Sequence, residues 1–452
     1  MNRILTIAGS DSGGGAGIQA DLKVITVLGG FGTSVITALT AQNTLGVQAV
    51  HAVPVSFIRQ QMDSVLSDIG ADAAKTGMLA TPEIVEIVSE GIRRYNLQPL
   101  VVDPVMVAKS GDALLSKDAR ETIKKLLLPL AFAVTPNLPE AEVLCGFPVR
   151  DPENMRMAAK KIHDLGPKHV LIKGGHLKGP AEDILYDGRS FQTLSGPRLN
   201  QRNTHGTGCS FSAALATFIG QGLPIHQAAI RAKAFITKAI YSGISIGAGH
   251  GPTNPYSHIA LMLEREDILK DIKKALKRLT QLNMGKIIPE CRSNLAYAVT
   301  VAYNHEDVAA VPGRITNVGD EILFCREPAF GATRHVARVV LAVMSKAPEM
   351  RAAMNIRYTP GIIEACEKLD LCMTFFDRKT EPKKIKEKEG STLEWGTREA
   401  VNMLDRVPDC IYDKGETGKE PMVRVLGKDP MEVVEKVWKI FQAWQQQEQQ
   451  EE

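Results

Sequence analysis

Aromatic residues make up only 5% of this 452-residue chain, and its seven cysteines are scattered with no C-x-x-C pair. The scatter excludes a disulfide framework and a structural zinc site. No apolar run approaches the roughly 18 residues that a membrane-crossing helix requires. Nor is there an excess of charge of one sign. Lys and Arg number 54 against 51 Asp and Glu, and the net +3 is too small to argue for nucleic acid or a membrane surface as partner. Met1-Asn2-Arg3 leads straight into Ile4–Ala8, a run too short for the apolar segment of a signal peptide, and no A-x-A site follows; a cytoplasmic protein is expected. What remains is 44% hydrophobic and 23% charged, over a length too great for one ordinary domain. That is the composition of a globular protein with two or three domains.

The first two-thirds alternates short β-branched runs with helical stretches. Ile4–Ala8, Ala73–Thr76, Leu100–Asp103, Ala133–Thr135 and His169–Lys173 read as buried strands, and Pro82–Tyr95 and Pro152–Leu165 as amphipathic helices. This alternation predicts a parallel sheet covered on both faces, with ligands bound beyond the carboxyl ends of its strands. Polar groups fall there: Gly9-Ser10-Asp11, Gly77-Met78, Asp103-Pro104, Asn137 to Glu140, and Lys173-Gly174-Gly175-His176 each follow a strand.

Two stretches are rich in glycine. Residues 9–21 read G-S-D-S-G-G-G-A-G-I-Q-A-D, where Gly13, Gly14, Gly15 and Gly17 allow a ligand to approach the backbone closely. No G-K-[ST] follows, so this is no P-loop, and the dinucleotide fingerprint fits poorly. Residues 203–214 read N-T-H-G-T-G-C-S-F-S-A-A. Gly206 and Gly208 precede a small-residue helix, whose free N–H groups and dipole would cradle an anion such as a phosphoryl group in transfer. Cys209 lies at the mouth of that cradle, where a thiol is expected to ionise more easily.

Taken together, 9–21, A-Q-N-T at 41–44, K-T-G-M-L at 75–79, D-P-V-M at 103–106, T-P-N-L-P-E-A at 135–141, I-K-G-G-H at 172–176 and G-T-G-C at 206–209 resemble the hydroxymethylpyrimidine/phosphomethylpyrimidine kinases of thiamine biosynthesis, in the ribokinase-like superfamily. The resemblance covers residues 1–260. It implies a three-layer α/β/α fold and two ATP-dependent phosphorylations of 4-amino-5-hydroxymethyl-2-methylpyrimidine, first to the monophosphate and then to the diphosphate. Gly206, Gly208 and Cys209 would form the catalytic cradle, with Cys209 either accepting the substrate proton or orienting its hydroxyl. Asp103 and Glu140 suit Mg²⁺, partly through water; capping of a following helix is the rival role, above all for Asp103. Lys173, with Asn137 and Thr207, is expected to bind ATP. Gln42 suits an aminopyrimidine edge, Asp21 is a second substrate contact or a solvated helix position, and Met78 packs on the ring or in the core. A pyridoxal-type kinase is the nearest alternative.

Behind Gly247–Pro255 the pattern changes. Residues 257–283 have helical apolar spacing, with Ile259, Leu263, Ile268 and Ile272 on one face, and 261–285 reads as a helical linker. Residues 286–447 read as a smaller α/β domain with a mixed sheet. Its elements include strands Leu295–Tyr303 and Glu321–Phe324, helices Arg334–Ser345 and Pro430–Trp444, a solvated lysine-rich loop Pro382–Glu389, and a frayed tail from Gln445. V-P-G-R-I-T at 311–316, P-A-F-G-A-T-R-H-V-A at 328–337, N-I-R-Y at 355–358 and F-F-D-R at 375–378 resemble the thiamine-phosphate synthase domain found fused behind the pyrimidine kinase. That resemblance implies condensation of the pyrimidine diphosphate with 4-methyl-5-(2-phosphoethyl)thiazole. Cations must then hold the departing pyrophosphate. Arg314 and His335 are the expected catalytic pair, and Arg334, Arg357 and Arg378 further contacts. A domain that senses thiamine phosphate without chemistry is the alternative. Partners are thus small pyrimidine and thiazole phosphates, with no nucleic acid and no membrane, in a homodimer.

Overall fold

The computed structural model describes all residues except 107–116, 176, 178–180, 303, 383–390, 405, 417 and 452. The chain divides into two compact units, Met1–Ile259 and Ala260–Glu452. Among the described residues no helix is long and apolar enough to cross a membrane.

The first unit is built on nine strands: β1 (Arg3–Asp11), β2 (Phe31–Gln42), β3 (Val47–Ala52), β4 (Ala73–Thr76), β5 (Leu100–Val102), β6 (Ala133–Val134), β7 (His169–Ile172), β8 (Ala181–Tyr186) and β9 (Phe191–Gly196). Their order is β3-β2-β1-β4-β5-β6-β7-β8-β9. Pairing is parallel from β2 to β7 and antiparallel at both edges, β2–β3 and β7–β8–β9. The sheet has a core on each face, because successive strand residues point to opposite sides. Leu5, Ala74, Val102, Val134 and Val170 enter one core; Ile4, Ala73, Val101, Ala133 and Leu171 enter the other. This is the expected three-layer arrangement. The two outermost strands on each side, β2 and β3, β8 and β9, escape a search for short apolar runs, because they mix polar with apolar residues or are exposed.

Helix starts carry their usual signals. Thr81 and Asp151 cap the helices Pro82–Arg94 and Pro152–His163, each with proline in the first turn. The helix Thr207–Gly220 differs. Its N-cap is Gly206, with φ +76° and no side-chain cap, and residues Ser210 to Ile219 are all buried. A Cβ at Gly206 would collide with the Gly15 carbonyl oxygen, so glycine here lets two chain segments meet. Sheet order reverses between β1 and β4, and this helix begins beyond the carboxyl ends of the central strands.

The second unit holds a seven-stranded mixed sheet. Its strands are β10 (Leu295–Ala298), β11 (Val308–Ala310), β14 (Ala329–Phe330), β15 (Ala352–Arg357), β16 (Met373–Phe375), β17 (Cys410–Asp413) and β18 (Met422–Gly427), in the order β14-β11-β10-β15-β18-β17-β16. Only β16–β17 is parallel. A separate hairpin pairs β12 (Ile315–Val318) with β13 (Glu321–Phe324). The helix Ser257–Thr280 covers much of the expected linker, yet Leu261, Ile268, Ile272, Leu276 and Leu279 are buried in the core of the second unit. Leu263, expected on its apolar face, is 63% exposed. The closing helix runs Pro430–Glu451, through the tail expected to fray; Trp444 and Gln447 are buried on it. Tyr303 and the lysine-rich run from 383 to 389 lie outside the described residues.

Candidate active sites

The five strand-end loops of the first unit, the glycine-rich loop after β1 and the start of the Thr207–Gly220 helix line one cavity of about 710 Å³. Gln42, Met78, Asp103, Asn137, Glu140, Lys173, Gly206, Thr207, Gly208 and Cys209 all face it. His176 lies outside the described residues.

At the helix start, the Thr207 N–H and hydroxyl are both directed to the Thr204 carbonyl oxygen, at 3.3 and 2.7 Å. Ser210 N–H goes to Gly206 O at 2.9 Å. The Gly208 and Cys209 N–H groups have no acceptor among the described residues. Two donors at the positive end of a buried helix therefore open on the cavity. Lys173 stands across from them, its Nζ 3.4 Å from where a Gly208 Cβ would lie.

The charges around this point are paired. Lys173 Nζ donates to Asp103 Oδ1 at 3.0 Å, and Thr135 and Ser212 donate to the Asp103 carboxylate at 3.2 Å each. Burial alone would raise Asp103, but Lys173 and Lys75 hold its carboxyl below the usual range. Burial likewise disfavours the Lys173 ammonium, and Asp103 and Glu140 more than restore it. Asp103 is thus a cavity-wall carboxylate. The residue that caps a helix is instead Asn137, in a reciprocal box: its Oδ1 accepts from Glu140 N–H at 2.9 Å, and Glu140 Oε2 accepts from Asn137 N–H at 2.8 Å. Burial, reinforced by Asp103, pushes the Glu140 carboxyl up to about 7 against the pull of Lys173. No group of three or more His, Cys, Asp or Glu with metal-site geometry occurs among the described residues.

Two expectations are corrected here. Cys209 faces the cavity, but its thiol is pushed up to about 11, not down. Burial is the main cause; Lys75 opposes it while Asp21 and Asp103 add to it. The helix start does not overcome a buried site with two carboxylates close by. Asp21 is neither a substrate contact nor solvated. It is fully buried off the cavity wall, where Lys75 Nζ donates to it at 2.8 Å and Thr6 Oγ1 at 2.7 Å. Its role is to hold Lys75, which does line the cavity.

Sequence reasoning gave no role to Lys75, Asp11 or His205, although all three stand in the motifs quoted. Asp11 Oδ1 accepts from Gly13 N–H, and Oδ2 from Gly15 and Ala16 N–H, at 2.8 to 3.0 Å. The glycine-rich loop therefore spends much of its backbone on its own aspartate and not on a ligand. His205 Nε2 lies 3.1 Å from Asp11 Oδ2 and 3.2 Å from the Gln42 amide. A carboxylate after the first strand and a histidine before G-T-G were the available signals.

The second unit has its own cavity, about 440 Å³, lined by Cys291, Arg292, Gly313, Arg314, Arg334 and His335, among others. Arg314 has φ +73° beside Gly313 at +84°, a turn that brings its guanidinium to the Cys291 carbonyl. Glu420 fixes the opposite wall, accepting from the N–H groups of Glu290 and Cys291 at 2.9 Å each. His335 opens the helix His335–Met344. Burial, with Arg314 and Arg338, lowers its pKa, so the ring is neutral at pH 7. No carboxylate pairs with Arg314 or Arg334 among the described residues.

Arg378 is a correction. It is buried, and its guanidinium donates to Asp413 at 2.6 and 3.2 Å; Arg424 donates to the same carboxylate at 2.7 Å. Both guanidinium groups lie over the Phe376 ring, at 5.9 and 5.3 Å from its centre. This is an internal charge cluster, not a diphosphate contact. Arg357, at the end of β15, does not line the cavity either.

Comparison with known proteins gives two family matches. Residues 11–254 match phosphomethylpyrimidine kinase, and residues 271–439 match thiamine-phosphate synthase ThiN. The thiamine biosynthesis bifunctional protein ThiED of Geobacter sulfurreducens is 52% identical over 252 residues, 56% of this chain but only 51% of that protein. The hydroxymethylpyrimidine/phosphomethylpyrimidine kinase of Bacillus subtilis is 47% identical over 257 residues, 56% of this chain and 95% of that protein. Among solved structures, a Bacillus subtilis pyridoxal kinase in complex with ADP superimposes with a TM-score of 0.54 at 40% identity, covering 57% of this chain and 98% of that one. The Staphylococcus aureus pyridoxal kinase with AMP-PCP and pyridoxal gives 0.53 at 38%, covering 57% and 95%.

Proposed function

The chain belongs to the phosphomethylpyrimidine kinase family and carries a thiamine-phosphate synthase domain behind it, and from that premise we propose how its two cavities work. Residues 1–260 phosphorylate 4-amino-5-hydroxymethyl-2-methylpyrimidine and then its monophosphate, using ATP. Residues 286–447, with the helical segment 261–285, join the diphosphate to 4-methyl-5-(2-phosphoethyl)thiazole and release pyrophosphate. The protein works in the cytoplasm as a homodimer; a single-chain mass by light scattering would overturn the dimer.

The observation that carries the kinase reading is the pair of unpaired N–H groups at Gly208 and Cys209, facing Lys173 across the cavity. Phosphoryl transfer needs little covalent help, and fixed donors around the migrating group supply charge stabilisation without reorganisation. Lys173, Asn137 and Thr207 contact ATP. Gln42 and Met78 hold the ring. Cys209 is a thiol in the resting site and has no vacancy for a proton, so its role is to orient the substrate hydroxyl, whose proton passes to a non-bridging oxygen of the phosphoryl group as the new P–O bond forms and the bond to ADP breaks. Asp103 and Glu140 are the residues that would hold Mg²⁺, which neutralises phosphate charge when bound. The Glu140 carboxyl, held protonated up to about pH 7 by burial and by Asp103 in spite of Lys173, fits that purpose. Mg²⁺ should then raise the Tm of the wild-type protein and not that of Glu140→Gln.

In the second unit Arg314 and Arg334 take the diphosphate, and His335, neutral and still an N–H donor, meets the leaving oxygen. Two incubations test the whole reading. With ATP and the pyrimidine alcohol, the monophosphate and then the diphosphate should accumulate. Without ATP, the diphosphate and thiazole phosphate should give thiamine phosphate; its absence would leave a sensing domain. The likeness to two pyridoxal kinases supports a side activity on pyridoxal, measurable in the first assay.

A further inference from the structure

We propose that His205, backed by Asp11, fixes the orientation of the Gln42 amide and thereby makes the substrate pocket select a ring that offers a hydrogen-bond acceptor. The proposal rests on the reading that Gln42 meets the pyrimidine ring.

Each group in the chain of contacts constrains the next. Asp11 accepts three backbone N–H groups, so its carboxylate is fixed and offers only lone pairs. His205 Nε2 lies 3.1 Å from Asp11 Oδ2. An unprotonated Nε2 would set two lone pairs against each other, so that nitrogen carries the proton. The same Nε2 is 3.2 Å from the end of the Gln42 amide assigned as nitrogen. An NH₂ group there would face an N–H; with the amide turned end for end, a carbonyl oxygen there shares that one N–H with Asp11. The other end of the amide is compatible with that orientation. It lies 3.2 Å from Thr40 Oγ1, which is 3.0 Å from the Ser10 carbonyl oxygen. A hydroxyl can donate to an amide oxygen or, when its one proton goes to Ser10 O, accept from an amide N–H, so Thr40 serves either end of the amide. His205 therefore decides, with the Gln42 oxygen toward the imidazole and the nitrogen toward Thr40. The amide nitrogen has a second N–H, and Gln42 lines the cavity. That N–H is the group left for a ligand.

His205 is held for this task. Its N–H donates to Gly251 O, and its carbonyl accepts from Thr253 N–H, both at 3.0 Å. Its ring lies against Gly15, where a Cβ would come within 2.5 Å of Cδ2. It is a positioning residue, acting on the substrate through Gln42.

The test uses the full chain. Heteronuclear NMR of the imidazole should show the Nε2–H tautomer for His205 in the wild-type protein. His205→Phe should raise KM for the pyrimidine alcohol about tenfold, leaving KM for ATP within about twofold, and His205→Gln, which keeps an N–H near the Nε2 position, should recover most of the loss. Gln42→Ala should raise the same KM, and adding His205→Phe to it should cost nothing more. Additive losses, or equal rises in both KM values, would overturn the proposal and leave the role of Gln42 standing. An unchanged KM in Gln42→Ala would remove that role and the proposal with it. If His205→Phe does not fold, an Nδ1–H tautomer in the wild-type protein overturns the proposal by itself.

Discussion

The two cavities hold positive charge in opposite ways. In the first unit each cavity lysine is already paired, Lys173 with Asp103, Lys75 with Asp21 and Lys233 with Asp183. In the second, Arg314 and Arg334 face the cavity with no carboxylate partner among the described residues, while Arg378 and Arg424 share Asp413, away from the cavity lining. A cation paired within the protein is held rigid and offers only part of its field to a ligand. A cation left unpaired at a cavity wall keeps its binding energy for an incoming anion. The first cavity is accordingly preorganised by fixed pairs and free amides, and on the proposed reading the second keeps its cations for the charge of its substrate.

The contrast breaks most visibly at Asp413. Asp413→Ala leaves two buried guanidinium groups unpaired and should cost roughly 3–5 kcal/mol of stability in urea unfolding. Arg314→Ala should stay within about 0.5 kcal/mol of wild type in the same experiment. Cys209→Ala should lower kinase turnover roughly 100-fold while ATP binding, followed by calorimetry, survives; near-normal turnover would mean that the thiol does not orient the substrate. Arg314→Ala should raise KM for the diphosphate about tenfold and leave thiazole phosphate nearly untouched, and Arg357→Ala should change neither. A pH-dependent effect is expected at Glu140. Its ordinary value is 4.5 and burial holds it at about 7, so the folded chain keeps a proton there that the unfolded chain releases. That contribution to stability is complete below about pH 4.5 and is lost as the pH rises through 7. In Mg²⁺-free buffer the Tm of Glu140→Gln should therefore gain on wild type across this window.

What the sequence shows depends on how local the deciding interaction is. The strand-end loops and the glycine-flanked helix start are set by adjacent residues, and both are where their pattern places them. The fates of Asp21, Arg378 and Cys209 are set from far along the chain. Asp21 is claimed by Lys75, 54 positions away. Arg378 is claimed by Asp413, 35 positions away. The Cys209 thiol answers to burial and to carboxylates on other elements. Periodicity in the 257–283 stretch likewise shows a helix but not the body that its apolar side joins. His205 was legible as a residue and not as a function, because its meaning lies in which proton donors and acceptors surround it.

The helix Ser257–Thr280 bears on how the rear enzyme can be made alone. Leu261, Ile268, Ile272, Leu276 and Leu279 are interior side chains of that unit. A recombinant fragment begun at residue 286 would leave a strip of its interior open to water and should precipitate or melt early. Begun at 260, the fragment keeps its whole interior, and it is the form in which to look for condensation without the kinase.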